Sequence, residues 1–600
     1  MLRSKKGFTL LEVLVSAAVF LIIAIALYRT YASLFALTSV TQFKILALNA
    51  ANEQFEIIRN LPYADVGEVN GIPNGKIPHS QTLVRGGVTF TITTNIRNVD
   101  LPFDGKLGGN PNDLSPADNK LAEVRVDCST CKNYIPITLT TTISPKNLET
   151  ASTNGALFIK VFDANGLAVS GATVRVVNTK VTPNIVVQDE TDVNGMLQIV
   201  DVPPGVQAYS VTVSKAGYST ARTYPPGGVV NGYLNPTPTQ PDATVVVQQV
   251  TQASFAIDRV SSLSFKSVSP VCAPIGGLDF NLSGSKTVGA SIPKFITNLV
   301  TDGAGNYSST TMEWDSYNVT GIDTSYDIIG INPLNLIALN PNSTQEVKLI
   351  VAPKDPRSLL VTVKDSSTLL PLTGTTVDVT GPSAYSSSKV TDRGYINQTD
   401  WSGGAGQVTY NNQNQYFVDN ASVAVDSPNG EIKLRTIFGS YAPSGTLESS
   451  TFDTGSPSNF YNLVWSPTDQ PVATGSTSLK FQIATNKELT ATSTWDYKGP
   501  DGTAASYYTP ANSVINTVHN GDQYVRYKVF LSTLSATSTP NVSDVAFTFT
   551  SSCTPPGQVV FTGLAAGTYH LTVSKSGYTT SQIDVSVSSN WTEQQIILAP

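Results

Sequence analysis

The chain has 600 residues, 40% of them hydrophobic and 14% charged, with a formal net charge of −7. Length alone sets a prior of about four domains at roughly 150 residues each. The acidic balance argues against general nucleic-acid binding, which needs several Lys or Arg on one face, and the low charge with abundant Thr, Ser, Val, Asn and Gly suits exposed β modules better than a cytosolic enzyme.

Residues 1–28 govern how the remainder is read. A basic leader with Arg3, Lys5 and Lys6 ends at Gly7, and an apolar run starts at Phe8. From Phe8 to Leu27 only Thr9, Glu12 and Ser16 are polar, and about 20 helical residues at roughly 1.5 Å each match a hydrocarbon core ~30 Å thick. A cleavable secretory signal has its small residue after the apolar run; here Gly7 precedes it and Glu12 lies inside it. The leader stays cytoplasmic under the positive-inside rule, so the helix points outward. The competing reading is an ordinary signal anchor with an idle Glu. A carboxylate in a bilayer helix costs about 2.5 to 3.5 kcal/mol unless paired, and a cationic N-terminal amine on a neighbouring copy would pair it.

A basic leader, Gly7-Phe8-Thr9-Leu10-Leu11-Glu12 and an unbroken apolar helix resemble the type IV pilin and pseudopilin family. The resemblance implies that prepilin peptidase cuts after Gly7, that Phe8 is N-methylated, and that Glu12 is the carboxylate through which the subunit assembles with other pilin subunits. It also implies an inner or cytoplasmic membrane precursor, then a place at the cell surface or pilus with the soluble modules extracytoplasmic.

The leader is residues 1–7, and a pilin-like module follows over 8–147, with a helix over 8–60 closed by Pro62. A small sheet over 81–145 comes from QTLVRGGVTFTITTNIRNV, LAEVRVDCST and IPITLTTTIS, which alternate and are rich in Thr, Val and Ile. The Gly-, Pro-, Asn- and Asp-rich stretch between the first two runs reads as an exposed irregular connection. Cys128 and Cys131 form a CxxC that fits a zinc half-site, a redox pair or a small disulfide loop. With no nearby His and no βαβ pattern, the local disulfide is the expectation. Cys272 and Cys553 each precede a Pro-containing segment, and the sequence leaves their pairing open.

From Gly155 strand-like runs alternate with turns. VSKAGYST at 213–220 returns as VSKSGYTT at 573–580, and TDVNG, TDGAG and TDWSG begin at 191, 301 and 399. Asp and Asn bond local backbone and Gly accepts positive φ, so each T-D-x-x-G reads as a turn. The span from Asp to the Tyr of the repeat is far longer in the third unit than in the first, which implies an inserted domain at 405–553. The units are then 155–252, 270–353, and 357–404 joined with 554–600.

GALFIKVFDANGLAVSGATVRVV with TDVNGMLQIVDVPPGVQAYSVTVSKAGY in the first unit, and LLVTVKDSSTLLPLTGTTVDVT with GQVVFTGLAAGTYHLTVSKSGY in the third, resemble the transthyretin-like family of carboxypeptidase regulatory-like and Cna protein B-type domains; the second unit matches more weakly. The resemblance implies seven-strand-type β-sandwiches serving as stalk or ligand-presenting modules. Some relatives carry a Lys–Asn isopeptide bond, and Lys160 and Lys364 lie on first strands, but the closing strand IILAP offers no Asn and both are read as solvated. The insert is similar to galactose-binding or discoidin-like jelly rolls. Trp465, Trp495 and Tyr497, with Tyr507 and Tyr508, are candidates for stacking on a glycan, against the weightier reading that aromatics fill the core.

The fold class expected is therefore mainly β with one long N-terminal transmembrane α-helix: a pilin-like α+β module followed by several β-sandwich domains. His79, His519 and His570 lack metal-ligand spacing, no GxSxG, HExxH or P-loop occurs, and Asp453 in FDTG lacks a second Asp motif. Asp163, Asn165, Asp192 and Asn194 fit hairpin turns better than calcium. No catalytic residue, metal or cofactor is expected. The function read from this is a minor pilin-like filament subunit or tip protein, not an enzyme, displaying adhesive β modules to a surface ligand such as a glycan. The alternative is a pseudopilin of a type II secretion or DNA-uptake system whose β modules bind cargo.

Overall fold

The computed structural model describes residues 9–146, 151–355, 357–401, 417–426, 429–490 and 493–600. They form two compact units, residues 1–260 with 287–292, and residues 261–286 with 293–600.

The first unit begins with α1 (Leu10–Asn60). Five of its hydroxyls are bonded within the helix: Ser16 donates to the Val13 carbonyl at 3.0 Å, and Thr30, Thr38, Ser39 and Thr41 each to the carbonyl four residues back at 2.9 Å. Each of these five is thereby satisfied without a partner outside the helix. Pro62 ends the helix, since the residue before a proline is pushed out of the α region. The C-terminal half of α1 packs Ala47, Ala50, Ala51, Phe55 and Ile58 onto a sheet. The small alanines let the helix approach closely, and Phe90, Ile92, Ile96, Val124 and Val126 receive it.

That sheet is antiparallel, in the order β1 (Ser80–Arg85), β2 (Val88–Val99), β3 (Asn119–Asp127) and β4 (Ile137–Ile143). The run QTLVRGGVTF folds as a hairpin, because Gly86 and Gly87 both take positive φ, 57° and 76°, as a two-residue turn matched to strand twist requires. Cys128 and Cys131 form a disulfide at the end of β3.

The sandwich that follows has β9 (Gly205–Ser214), β6 (Thr173–Asn178) and β7 (Ile185–Glu190) on one face. On the other, β5 (Gly155–Phe162) lies between β8 (Met196–Val202) and a parallel closing strand, Val250–Ala256. Alternate residues Leu157, Ile159, Val161, Val174, Val176, Val211 and Val213 fill the space between the sheets, as period-2 strands dictate.

The second unit repeats this pattern twice. Ser261–Val268 runs parallel to Thr344–Pro353, and Ser358–Asp365 runs parallel to Trp591–Leu598. The second sandwich thus starts at its strand Ser261–Val268, ahead of the expected start at 270, because the first strand is needed to pair with the last. A further sheet holds Gly394–Gln398, Asp544–Thr550, Phe452–Ser466, Asp522–Ser532 and Ser444–Ser449 around a core of Trp401, Phe452, Trp465, Phe481, Tyr527 and Phe547.

The T-D-x-x-G turns explain how that sheet enters the chain. In the first sandwich the buried Thr191 hydroxyl accepts from the Ala172 N–H at 3.0 Å and donates to the Val169 carbonyl at 2.7 Å. The Asp192 N–H reaches the Met196 carbonyl at 2.9 Å, and the Gly195 carbonyl accepts from Val161 at 2.8 Å. In the second sandwich Thr301, Asp302 and Gly305 hold the equivalent places: Thr301 accepts from Leu278 at 3.0 Å, Asp302 reaches Asn306 at 2.8 Å, and Gly305 accepts from Ser267 at 2.8 Å.

In the third sandwich the residues doing this are Thr391, Asp392 and Gly557. Thr391 accepts from Thr375 at 3.0 Å and donates to Leu372 at 2.9 Å; Asp392 reaches Gln558 at 3.4 Å; Gly557 accepts from Val363 at 2.8 Å. Asp392 also receives the Gly557 N–H directly on its carboxylate. The chain therefore leaves the third sandwich between the Asp and the Gly of one tight turn, and residues 393–556 intervene, rather than 405–553. The TDWSG segment is not that turn: Trp401 is fully buried in the other core and donates its indole N–H to the Tyr527 hydroxyl at 2.8 Å, while residues 402 and 403 lie outside the described residues.

Candidate functional site

Of the processing residues, Gly7 and Phe8 lie outside the described residues, as do Arg3, Lys5 and Lys6. Glu12 falls in the first turn of α1. Every large apolar residue from Leu10 to Leu37 is exposed, whereas burial against the sheet begins at Ala47. Mean hydropathy in the apolar window reaches 2.2, so α1 is long and apolar enough to cross a membrane. One helix thus has two parts: a distal half built to sit in lipid or against other helices, and a proximal half that is the spine of a folded module.

The aromatic residues considered for glycan stacking do not form an open platform. Trp465 is 2% exposed and stacks on Phe481 with centroids 4.5 Å apart. Tyr508 is fully buried. Trp495 is half-buried with the Arg526 guanidinium 4.1 Å over its ring, and the Tyr497 hydroxyl donates to Glu448 at 3.3 Å. Burial drives the Tyr497 phenol well above its ordinary pKa. A two-layer sandwich needs large side chains to fill its ~10 Å gap, and Trp465 and Tyr508 serve that need. Neither ring presents a face on which a glycan could stack.

The other candidates resolve into structural roles. Asp163 accepts from the Asn165 and Leu167 N–H groups at 2.9 Å, and Asp192 from Asn194 at 2.9 Å and Met196 at 2.8 Å, so each caps its own turn. Asp453 accepts from Gly455 at 2.7 Å and from the Gln523 side chain at 2.8 Å. Lys160 is exposed and Lys364 half-buried. His79 pairs with the buried Glu68 at 2.8 Å, and that hydrogen bond raises its pKa. His519 is 2% exposed, and burial pushes it down to about 4, so it is neutral in the folded protein. Cys272 and Cys553 form a disulfide between the second sandwich and the end of the inserted segment; nothing local in the sequence announces it, since the partners are 281 residues apart.

The fold and its N-terminal helix define a class: a protein of β modules carried on one long apolar α-helix. Within that class the chain bears a prepilin-type N-terminus, because residues 2–28 match the prokaryotic N-terminal methylation motif. No curated protein matches the chain. Among solved structures, the Bacillus anthracis TIE protein aligns at 10% identity over 86% of this chain and 72% of its own, with a TM-score of 0.15. A streptococcal ancillary pilin aligns at 12% over 38% of this chain and 75% of its own, TM-score 0.17. The minor pilin of Streptococcus agalactiae aligns at 14% over 34% of this chain and 99% of its own, TM-score 0.16. Superpositions this poor carry no argument about this chain.

Proposed function

We propose that the chain is a minor pilin-like subunit, processed by prepilin peptidase after Gly7, assembled through α1 and displaying its β-sandwiches at the cell surface. The observation that carries this reading is the continuity of the methylation motif at residues 2–28 with a helix whose first half is bare and whose second half is built into a folded module. A string of sandwiches behind that module would crowd every position of a uniform shaft, so a tip or sparse position fits better than that of the major subunit. The ligand is an unidentified surface component, and the burial of Trp465 and Tyr508 weakens a glycan reading.

Glu12→Ala tests the assembly role. A lone carboxylate in the bilayer costs about 2.5 to 3.5 kcal/mol, so the variant should insert at least as well as the parent and yet disappear from sheared surface filaments. Wild-type levels of the variant in those filaments would remove Glu12 from the assembly mechanism.

A further inference from the structure

The connection between β2 and β3 is not the bare surface loop its composition suggests. Its backbone folds on itself, with Gly109 N–H on the Lys106 carbonyl at 2.7 Å and Gly108 N–H on the Asn112 side chain at 2.6 Å. Leu107, 5% exposed, packs against Ala156 and Val200 of the first sandwich, and the Leu114 carbonyl accepts from Ser152 at 2.8 Å. This loop is therefore the joint between the pilin-like module and the sandwich behind it.

Three carboxylates converge in the joint. One oxygen each from Asp104, Asp113 and Asp118 lies within 4.8 Å of the others. Asp113 and Asp118 are only 7% and 8% exposed, while Asp104 faces solvent. Asp113 Oδ1 accepts from the Ser115 N–H at 2.7 Å. Its Oδ2 is buried and has no hydrogen-bond partner among the described residues, on a carboxylate that is itself one of the three. At the base of the same loop Asp100 Oδ1 is buried without a partner as well, although Oδ2 holds the Leu107 N–H at 3.0 Å.

A buried carboxylate oxygen facing other carboxylates is costly unless a cation or proton joins it. Among the described residues Lys76 pairs with Asp65, Arg97 with Asp189 and Arg125 with Asp127, and Lys120 donates to the Tyr63 and Val66 carbonyls. Lys106, in the loop itself, is exposed.

We propose that Asp104, Asp113 and Asp118 form a binding site for a hard divalent cation of the calcium class, which locks the joint between the pilin-like module and the first sandwich. The donor set is all oxygen, which suits calcium or magnesium and not zinc or copper. Oxygens bound to one calcium at about 2.3–2.6 Å are at most roughly 5 Å apart, while magnesium at about 2.0–2.1 Å demands a tighter octahedron. Separations within 4.8 Å fall inside that calcium span. Asp104 supplies the open side through which the ion enters, and backbone carbonyls and water complete the shell.

The test is equilibrium dialysis of the full chain in detergent, stripped with chelator, against radioactive calcium chloride, with magnesium chloride as competitor. The parent should bind one calcium that Asp113→Asn does not. Asp104→Asn, changed at an exposed position where folding is not at stake, should weaken that same site by about tenfold or more. Chelation should also open the segment 100–118 to protease in the parent. No bound calcium, or equal stoichiometry and affinity in the parent and both variants, overturns the proposal.

Discussion

Replacing residues 393–556 by the Val-Asn pair that fills the first sandwich's turn should leave the third sandwich folded. Asp192 and Gly195 close their turn across Val193 and Asn194, with the Gly195 N–H on the Asp192 carbonyl, and the Gly557 N–H is already held on Asp392, there on the carboxylate. The two ends of the inserted segment therefore meet, and a short turn can bridge them without moving the strands. Loop-closure entropy favours the shorter connection, if only by a few RT units. With Cys272→Ser added, so that no thiol is stranded, hydrogen exchange should still find protected amides in Ser358–Asp365 and Trp591–Leu598. Loss of that protection would mean that the third sandwich needs the inserted segment to fold, and that the turn homology is accidental.

Trp401→Ala should cost about 3–5 kcal/mol, the range for deleting a large aromatic from a core. Trp401 is 0% exposed, lies in a core with Phe452, Trp465 and Tyr527, and donates to the Tyr527 hydroxyl, which donates in turn to Gln398 at 2.5 Å. The alanine variant leaves a void and removes the indole donor to the buried Tyr527 hydroxyl. Val193 holds the matching place in TDVNG and is 82% exposed, so Val193→Ala should stay within about 0.5 kcal/mol. Denaturant unfolding of both variants separates the two environments. A Trp401→Ala loss as small as that of Val193→Ala would restore TDWSG to the role of a surface turn.

These two residues also mark where sequence reading succeeds and where it fails. The helix and the alternating strands are local patterns, each set by residues within a few positions, so they are legible in the chain. The third T-D-x-x-G turn is not local: its Thr391-Asp392 and its Gly557 are split by the very insertion they flank, and TDWSG supplies a contiguous decoy eight residues on. Burial is likewise a tertiary property. Nothing in the composition around Trp465 distinguishes a core aromatic from a binding platform, and the Gly- and Asp-rich stretch around Asp113 looks solvated until Leu107 is seen docking against Ala156. The Cys272–Cys553 bond has the same character. The N-terminal motif is the opposite case, because a leader, a cleavage glycine and a carboxylate at fixed spacing lie within one short segment.

The central claim is that this segment is a processing and assembly handle. Mass spectrometry of the protein's N-terminal peptide, recovered from sheared surface filaments, addresses it directly. The account predicts a peptide beginning at Phe8 with one methyl group on its amino nitrogen, absent when Gly7 is replaced by a bulkier residue. An intact Met1 or a start beyond Leu27 in the surface-exposed protein, or its confinement to the membrane fraction, would contradict it.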